Sequence, residues 1–184
     1  MLATQILMDE HRVIERVIAA LDTATQRLEQ GQTVRPGFFL DAADFIKGFA
    51  DGCHHLKEEG VLFKAMVAHG VPDRGGPVGV MMDEHEQGRS YTQGMRQATQ
   101  SWLSGDLSAR SAVIANAHGY ATLLRQHIRK EDNILFPMAD RVIPTSEHAQ
   151  ILVDFEKVEH EETGAGVHEK YLGIAKKLEN EVKV

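Results

Sequence analysis

Two histidine-bearing segments each occur twice in this 184-residue chain. Met8-Asp9-Glu10-His11 returns as Met82-Asp83-Glu84-His85, 74 positions later. His54-His55-Leu56-Lys57-Glu58-Glu59-Gly60-Val61-Leu62-Phe63 returns as His127-Ile128-Arg129-Lys130-Glu131-Asp132-Asn133-Ile134-Leu135-Phe136, 73 positions later. Different motifs repeating at nearly one offset imply a duplicated helical hairpin, which pairs His11 with His85, His54 with His127 and Glu58 with Glu131. Four imidazoles and two carboxylates related by a pseudo-twofold axis are the ligand inventory of a two-metal centre.

Residues four apart lie on one helix face, about 6 Å apart along the axis, so each His54/Glu58 and His127/Glu131 pair converges on one region. A carboxylate bridges two cations where an imidazole binds one. Two His and two bridging oxygens give each ion four protein donors, and an oxo, hydroxo or water bridge raises that to five. One position per ion is then open to a diatomic or peroxide ligand. Imidazole and carboxylate without thiolate suit iron, manganese or zinc. A single His/Glu pair at this spacing is ordinarily a surface contact. Two pairs in register on apolar faces, each joined to a second repeated His, favour metal, because buried carboxylates and imidazoles are costly unless something neutralises them.

The elements that must position these groups read as helices almost throughout. The first spans about residues 3–30 and stops at Gly31, with Leu7, His11, Ile14, Ile18, Leu21 and Leu28 on one stripe. The second runs from about 38 to 69, the third from 78 to 104, and the fourth from an N-cap at Ser108 to about 140, with Pro137 near its end. Gly70-Val71-Pro72-Asp73-Arg74-Gly75-Gly76-Pro77 is the link at the midpoint of the duplication. The pattern predicts an all-α, up-down-up-down four-helix bundle over residues 1–140, with a C-terminal helical extension over 141–184. The extension is interrupted at Gly164-Ala165-Gly166. Three roles are open to it: capping the bundle, covering a flank, or supplying a homodimer surface.

Composition narrows the function classes. A chain of this length buries roughly 70% of its unfolded surface without a disulfide, and Cys53 is its only cysteine. The net charge of −7 carries no basic run of the kind that binds nucleic acid or a membrane surface. No apolar stretch approaches 18 residues and the N-terminus lacks signal-peptide organisation, so the expectation is a cytoplasmic protein.

The order His11, His54-x-x-x-Glu58, His85, His127-x-x-x-Glu131, with Glu-x-x-Leu-Phe in both halves, resembles the hemerythrin-like family of HHE cation-binding domains. The resemblance covers about residues 1–140. It implies a four-helix bundle around a non-haem di-iron centre, with Glu58 and Glu131 as bridging carboxylates. It also implies an oxygen carrier, a sensor of O2, NO or iron, or a protein with peroxide-related or repair roles. The favoured expectation is binding of O2, NO or peroxide for sensing, storage or protection. The alternatives are a di-iron oxidoreductase with peroxidase, catalase-like or ferroxidase activity, and a helical interaction module whose metal only stabilises the fold.

Two departures bear on function. Oxygen-carrying hemerythrins have His-x-x-x-His on the third helix, where this chain has His85-x-x-x-Arg89, and a guanidinium stays protonated and cannot ligate. Arg89 is therefore expected either to pair with a bridging carboxylate or an anionic oxygen species, or to sit at the bundle edge with its head in solvent. An inward Glu15 facing Arg89 across the site would balance its charge. The carrier pattern His-x-x-x-x-Asp is also met by His127 and Asp132, whereas the duplication selects Glu131.

Around these, Tyr120 is expected to line the pocket or simply to pack. His55, whose repeat partner is Ile128, is read as a non-ligand. Cys53 reads as a small core residue, with redox sensing the lesser alternative. The tail donors His148, Glu159, His160, Glu162 and His168 read as a solvated acidic face, with one of them closing the site from outside as the lesser alternative.

Overall fold

The computed structural model describes residues 2–163 and 166–183, the side chains of 161–163 and 167 excepted. The fold is all-α, with no strand among the described residues. Helix α1 is Ala3–Glu29, and Gly31 follows it at φ 74°, the left-handed conformation that ends a helix without a Cβ penalty. Helix α2 (36–68) is continuous but changes its ladder: Pro36–Phe45 is α-helical, Ile46–His55 and Glu58–Leu62 are π-helical, and Phe63–Ala68 is α-helical again. Helix α3 is Pro77–Leu103. Helix α4 (109–142) joins α-helical Ala109–Lys130 and Phe136–Val142 through a π turn at Glu131–Leu135.

Ser108 precedes α4 but its side chain makes no capping bond. Asp106 does the work instead, its Oδ1 accepting from the Ser108 amide at 3.0 Å and the Ser108 hydroxyl at 2.6 Å. Pro137 lies just after the π turn, second in the α-helical stretch Phe136–Val142 that ends the helix.

The four helices close a bundle in which α4 packs on α1 and α3, and α2 packs on α3. Its interior is built in layers. One apolar cluster takes Ile14 to Leu28 of α1, Phe38 to Ala50 of α2, Met95 of α3, and Val113 to Ile128 of α4. A second takes Ala3 and Leu7, Leu62 to Met66, Val78 and Met81, and Leu135 to Ala139. Between the two, every helix contributes polar residues: His11, His54 to Glu58, His85, and His127 to Glu131.

The C-terminal helices α5 (148–163) and α6 (Val167–Val182) lie along the bundle's flank. Gly164 and Ala165, the expected interruption, fall outside the described residues, as does the side chain of Glu162. Ile151 and Phe155 of α5 enter the second apolar cluster. Ala175 and Leu178 of α6 enter the first, against α1 and α2. Tyr171 packs into a notch at Gly48, where a Cβ would fall 1.8 Å from the tyrosine oxygen. His148 is buried, and its Nδ1 accepts the backbone N–H of Ala3 at 3.2 Å, satisfying one of the orphan donors at the start of α1.

The burial of Phe155 makes α5 part of the core. Truncating it to Ala should cost about 3–5 kcal/mol in urea unfolding. Val153→Ala, at an exposed position on the same helix, should change stability by no more than about 0.5 kcal/mol. Equal small effects would show that α5 does not share the bundle's core.

Candidate metal centre

The polar layer brings together seven side chains: His11 from α1, His54, His55 and Glu58 from α2, His85 from α3, and His127 and Glu131 from α4. Each is no more than 3% exposed. Both Glu58 and Glu131 open a π turn, the wider i→i+5 ladder that tends to occur at functional sites. The duplication is visible in the packing, since Phe136 stacks on His11 and Phe63 on His85 in matching positions.

Each imidazole is held from behind. Nδ1 of His11 lies 2.7 Å from Asp132, Nδ1 of His85 lies 2.7 Å from Glu59, and Nδ1 of His54 and His127 lie 2.9 Å from Glu10 and Glu84. Nδ1 of His55 lies 2.9 Å from Asp51. These carboxylates are themselves anchored by cations: Asp132 by Arg12, Glu59 by Arg89, Glu10 by Lys57 and Glu84 by Lys130. A carboxylate accepting from Nδ1–H fixes the tautomer and aims Nε2 forward, which is how metal-binding histidines are held in place.

With Nδ1–H donated outward, a neutral imidazole has only a lone pair at Nε2. Those lone pairs face further acceptors. Nε2 of His11 is 3.1 Å from Glu131 Oε2, and Nε2 of His127 is 3.0 Å from Glu131 Oε1. Nε2 of His54 and of His85 are each 3.4 Å from a Glu58 oxygen, and the Nε2 atoms of His85 and His127 are 3.0 Å apart. These approaches have ion-pair distances, yet Nε2 of His54 and all four oxygens of Glu58 and Glu131 are buried without a hydrogen-bond partner. The two observations agree once the contacts are seen as acceptor against acceptor, which is repulsive unless protons or cations lie between. The donor set divides into two compact groups, His11/His54/Glu58/Glu131 and His55/Glu58/His85/His127, with ligand atoms in each within 4.8 Å of one another. Two cations of the imidazole-and-carboxylate class fit this arrangement.

All six residues expected as ligands stand in the layer. Asp132 stands behind it on Nδ1 of His11, so position favours Glu131 as the inward carboxylate. Arg89 does not reach Glu58 or Glu131: its guanidinium bonds Glu59 at 2.6 Å, pairs with Glu86, and lies 3.7 Å from Asp51. Glu15 is half-buried and pairs with Arg12 at 3.2 Å, so the Glu15–Arg89 pair does not form. The repeat has exchanged signs here, Arg12/Glu15 on α1 standing where α3 has Glu86/Arg89, and each arginine braces the carboxylate behind a histidine. Tyr120 is buried against Gly88 with its hydroxyl unpartnered. His55, read from the sequence as a non-ligand, is a member of the layer. Burial, with the charge of Glu10 behind it, pushes the Cys53 thiol up to about 11, which leaves it protonated at neutral pH.

Comparison with known proteins bears on this layer. The family model of the hemerythrin HHE cation binding domain matches residues 2–139. Three uncharacterized proteins, one from Mycobacterium bovis and two from strains of Mycobacterium tuberculosis, are each 26% identical over 163 residues, or 88% of this chain. The match spans 63% of the length of those relatives. No solved structure matches the chain.

Without metal, protons must take the cations' place. Burial opposes charge on His54, but Glu58 and Glu10 outweigh it and hold its pKa at about 10; burial likewise opposes His127, which Glu131 and Glu84 hold at about 9. A histidine whose folded pKa exceeds its unfolded value contributes stability that is complete below about pH 6.5 and lost as pH rises through the folded value. Chelator-treated protein should therefore melt at progressively lower temperature from pH 7 to 9.5. The loaded protein should instead lose stability toward acid, as protons displace metal. A metal-free melting temperature that is flat or rising from pH 7 to 9.5 would show that protons do not substitute in the layer.

Proposed function

The chain belongs to the hemerythrin HHE cation-binding family, and on that premise we propose that its layer holds two iron ions and binds O2 or a related small ligand, NO or peroxide, for sensing, storage or protection. The observation that carries this is the convergence of imidazole lone pairs on two buried carboxylates that lack any hydrogen-bond partner. His11 and His54 would hold one ion, His85 and His127 the other, with Glu58 and Glu131 shared between them. Manganese and zinc suit the same donors. When bound, a ferrous pair would supply open coordination positions and reducing electrons. The protein's part is to fix the imidazole tautomers through Asp132, Glu10, Glu59 and Glu84, and to keep bulk water out with the apolar clusters on either side. A cytoplasmic location is part of the same proposal; no helix among the described residues is long and apolar enough to cross a membrane.

A second reading, a di-iron oxidoreductase of peroxidase, catalase-like or ferroxidase type, is favoured by one feature. Lys57 is fully buried between Glu10 and Glu159, 2.5 Å from the latter, and Glu10 holds His54. Proton-carrying groups thus run from the layer to Glu159, which is about one-third exposed. Turnover of O2 or peroxide requires protons, whereas reversible binding does not consume them.

Elemental analysis of the purified protein should find two irons per chain. When air is admitted to the reduced protein and then removed, a reversible visible band would support ligand binding. Irreversible oxidation with consumption of peroxide would support the enzyme, and zinc or no metal would contradict the di-iron assignment. In a second test, Glu58→Ala should reduce the stoichiometry below two. Retention of two ions by that variant would remove Glu58 as a shared ligand.

A further inference from the structure

His55 breaks the symmetry of the layer. Its counterpart in the other half is Ile128, which is just as buried, so this position faces inward in both hairpins. The ring of His55 stacks on that of His85 with centroids 3.8 Å apart and planes 17° apart, and lies edge-on to His127 at 6.0 Å. Asp51, one turn earlier, engages Nδ1 at 2.9 Å, as a carboxylate does for each of the other four imidazoles. Nε2 is then the nitrogen left for the cluster, and His55 offers a ligand atom within 4.8 Å of those of Glu58, His85 and His127. Cys53, His54 and His55 are buried in succession at the end of the π-helical stretch Ile46–His55, with the Cys53 sulfur 4.0 Å from Glu159 of the extension and both imidazoles in the layer.

We infer that His55 is a seventh metal donor, and that it makes the two ion positions unequal. The inference rests on the two-metal reading above. With both carboxylates shared, the ion at His85 and His127 gains His55 as a fifth protein donor, while the ion at His11 and His54 keeps four. Asp51 is a positioning residue for His55, equivalent in role to Glu59 behind His85.

The test replaces His55 by Ile, the residue that the other half already accommodates, and by Glu, which restores a donor. Each protein is loaded anaerobically with ferrous iron, desalted against a graded chelator and analysed for metal. Wild type should retain two ions per chain. His55→Ile should retain one, or release its second ion at a chelator concentration at least about tenfold lower, and His55→Glu should recover two. With isotopically enriched iron, wild type should give two Mössbauer doublets of equal area, reporting unequal sites. Two ions in His55→Ile with an unchanged chelator profile, or a single doublet in wild type, would overturn the seventh donor and leave the two-metal reading intact. Fewer than two ions in wild type would overturn that reading itself. Circular dichroism checks folding, and if the Ile variant is unfolded, His55→Gln decides by the same stoichiometry.

Discussion

Everything in this molecule is arranged around a repulsion. Five buried imidazoles donate Nδ1–H outward, and their remaining lone pairs crowd around two carboxylates that are themselves fully buried and unpartnered. In a low-dielectric interior such an assembly is unstable without positive charge between its members. On the two-metal proposal, the bound ions supply that charge. The outer ring of Asp132, Glu10, Asp51, Glu59 and Glu84 aims the imidazoles. Arg12, Lys57, Arg89 and Lys130 in turn keep those outer carboxylates from adding to the negative charge around the centre.

The helices serve this layer by being apolar above and below it. Leu7 and Ile14 flank His11 on α1, and Leu124 and Leu135 flank the His127/Glu131 pair on α4, so the same four helices supply two dry clusters and the polar plane between them. Glu58 and Glu131 each open a π turn, and the longer π stretch of α2 runs from the apolar cluster at Ile46 to His55, whereas His11, His85 and His127 stand in ordinary α-helix. The tail adds a further wall. It secures the start of α1 through His148 and brings Glu159 to Lys57, so the flank that the extension covers is also the flank nearest His54.

Much of this was legible in the sequence because a duplication repeats its constraints. Six inward donors followed from two motifs at one offset, and the all-α bundle followed from the stripes that carry them. The same duplication is a poorer guide at His55. Its partner Ile128 carries no donor, yet both positions are buried, and a buried histidine needs partners that an isoleucine does not. Arg89 could not be placed from sequence because its role depends on contacts across helices, to Glu59 and Asp51 on α2. The reversal of Arg12/Glu15 into Glu86/Arg89 is visible in the repeat only once the outer carboxylates are known. Local competition also defeats sequence signals: Asp106 and Ser108 both suit a helix start, and the geometry of the turn selects Asp106.

The central claim is that two cations occupy the layer between Glu58 and Glu131. Diffraction from crystals of the iron-loaded protein, recorded across the iron absorption edge, tests it most directly. Two anomalous peaks are expected, one beside His11 and His54 and the other beside His85 and His127. A single peak, or iron confined to surface carboxylates, would mean that the layer is held together by protons and that the two-metal account is wrong.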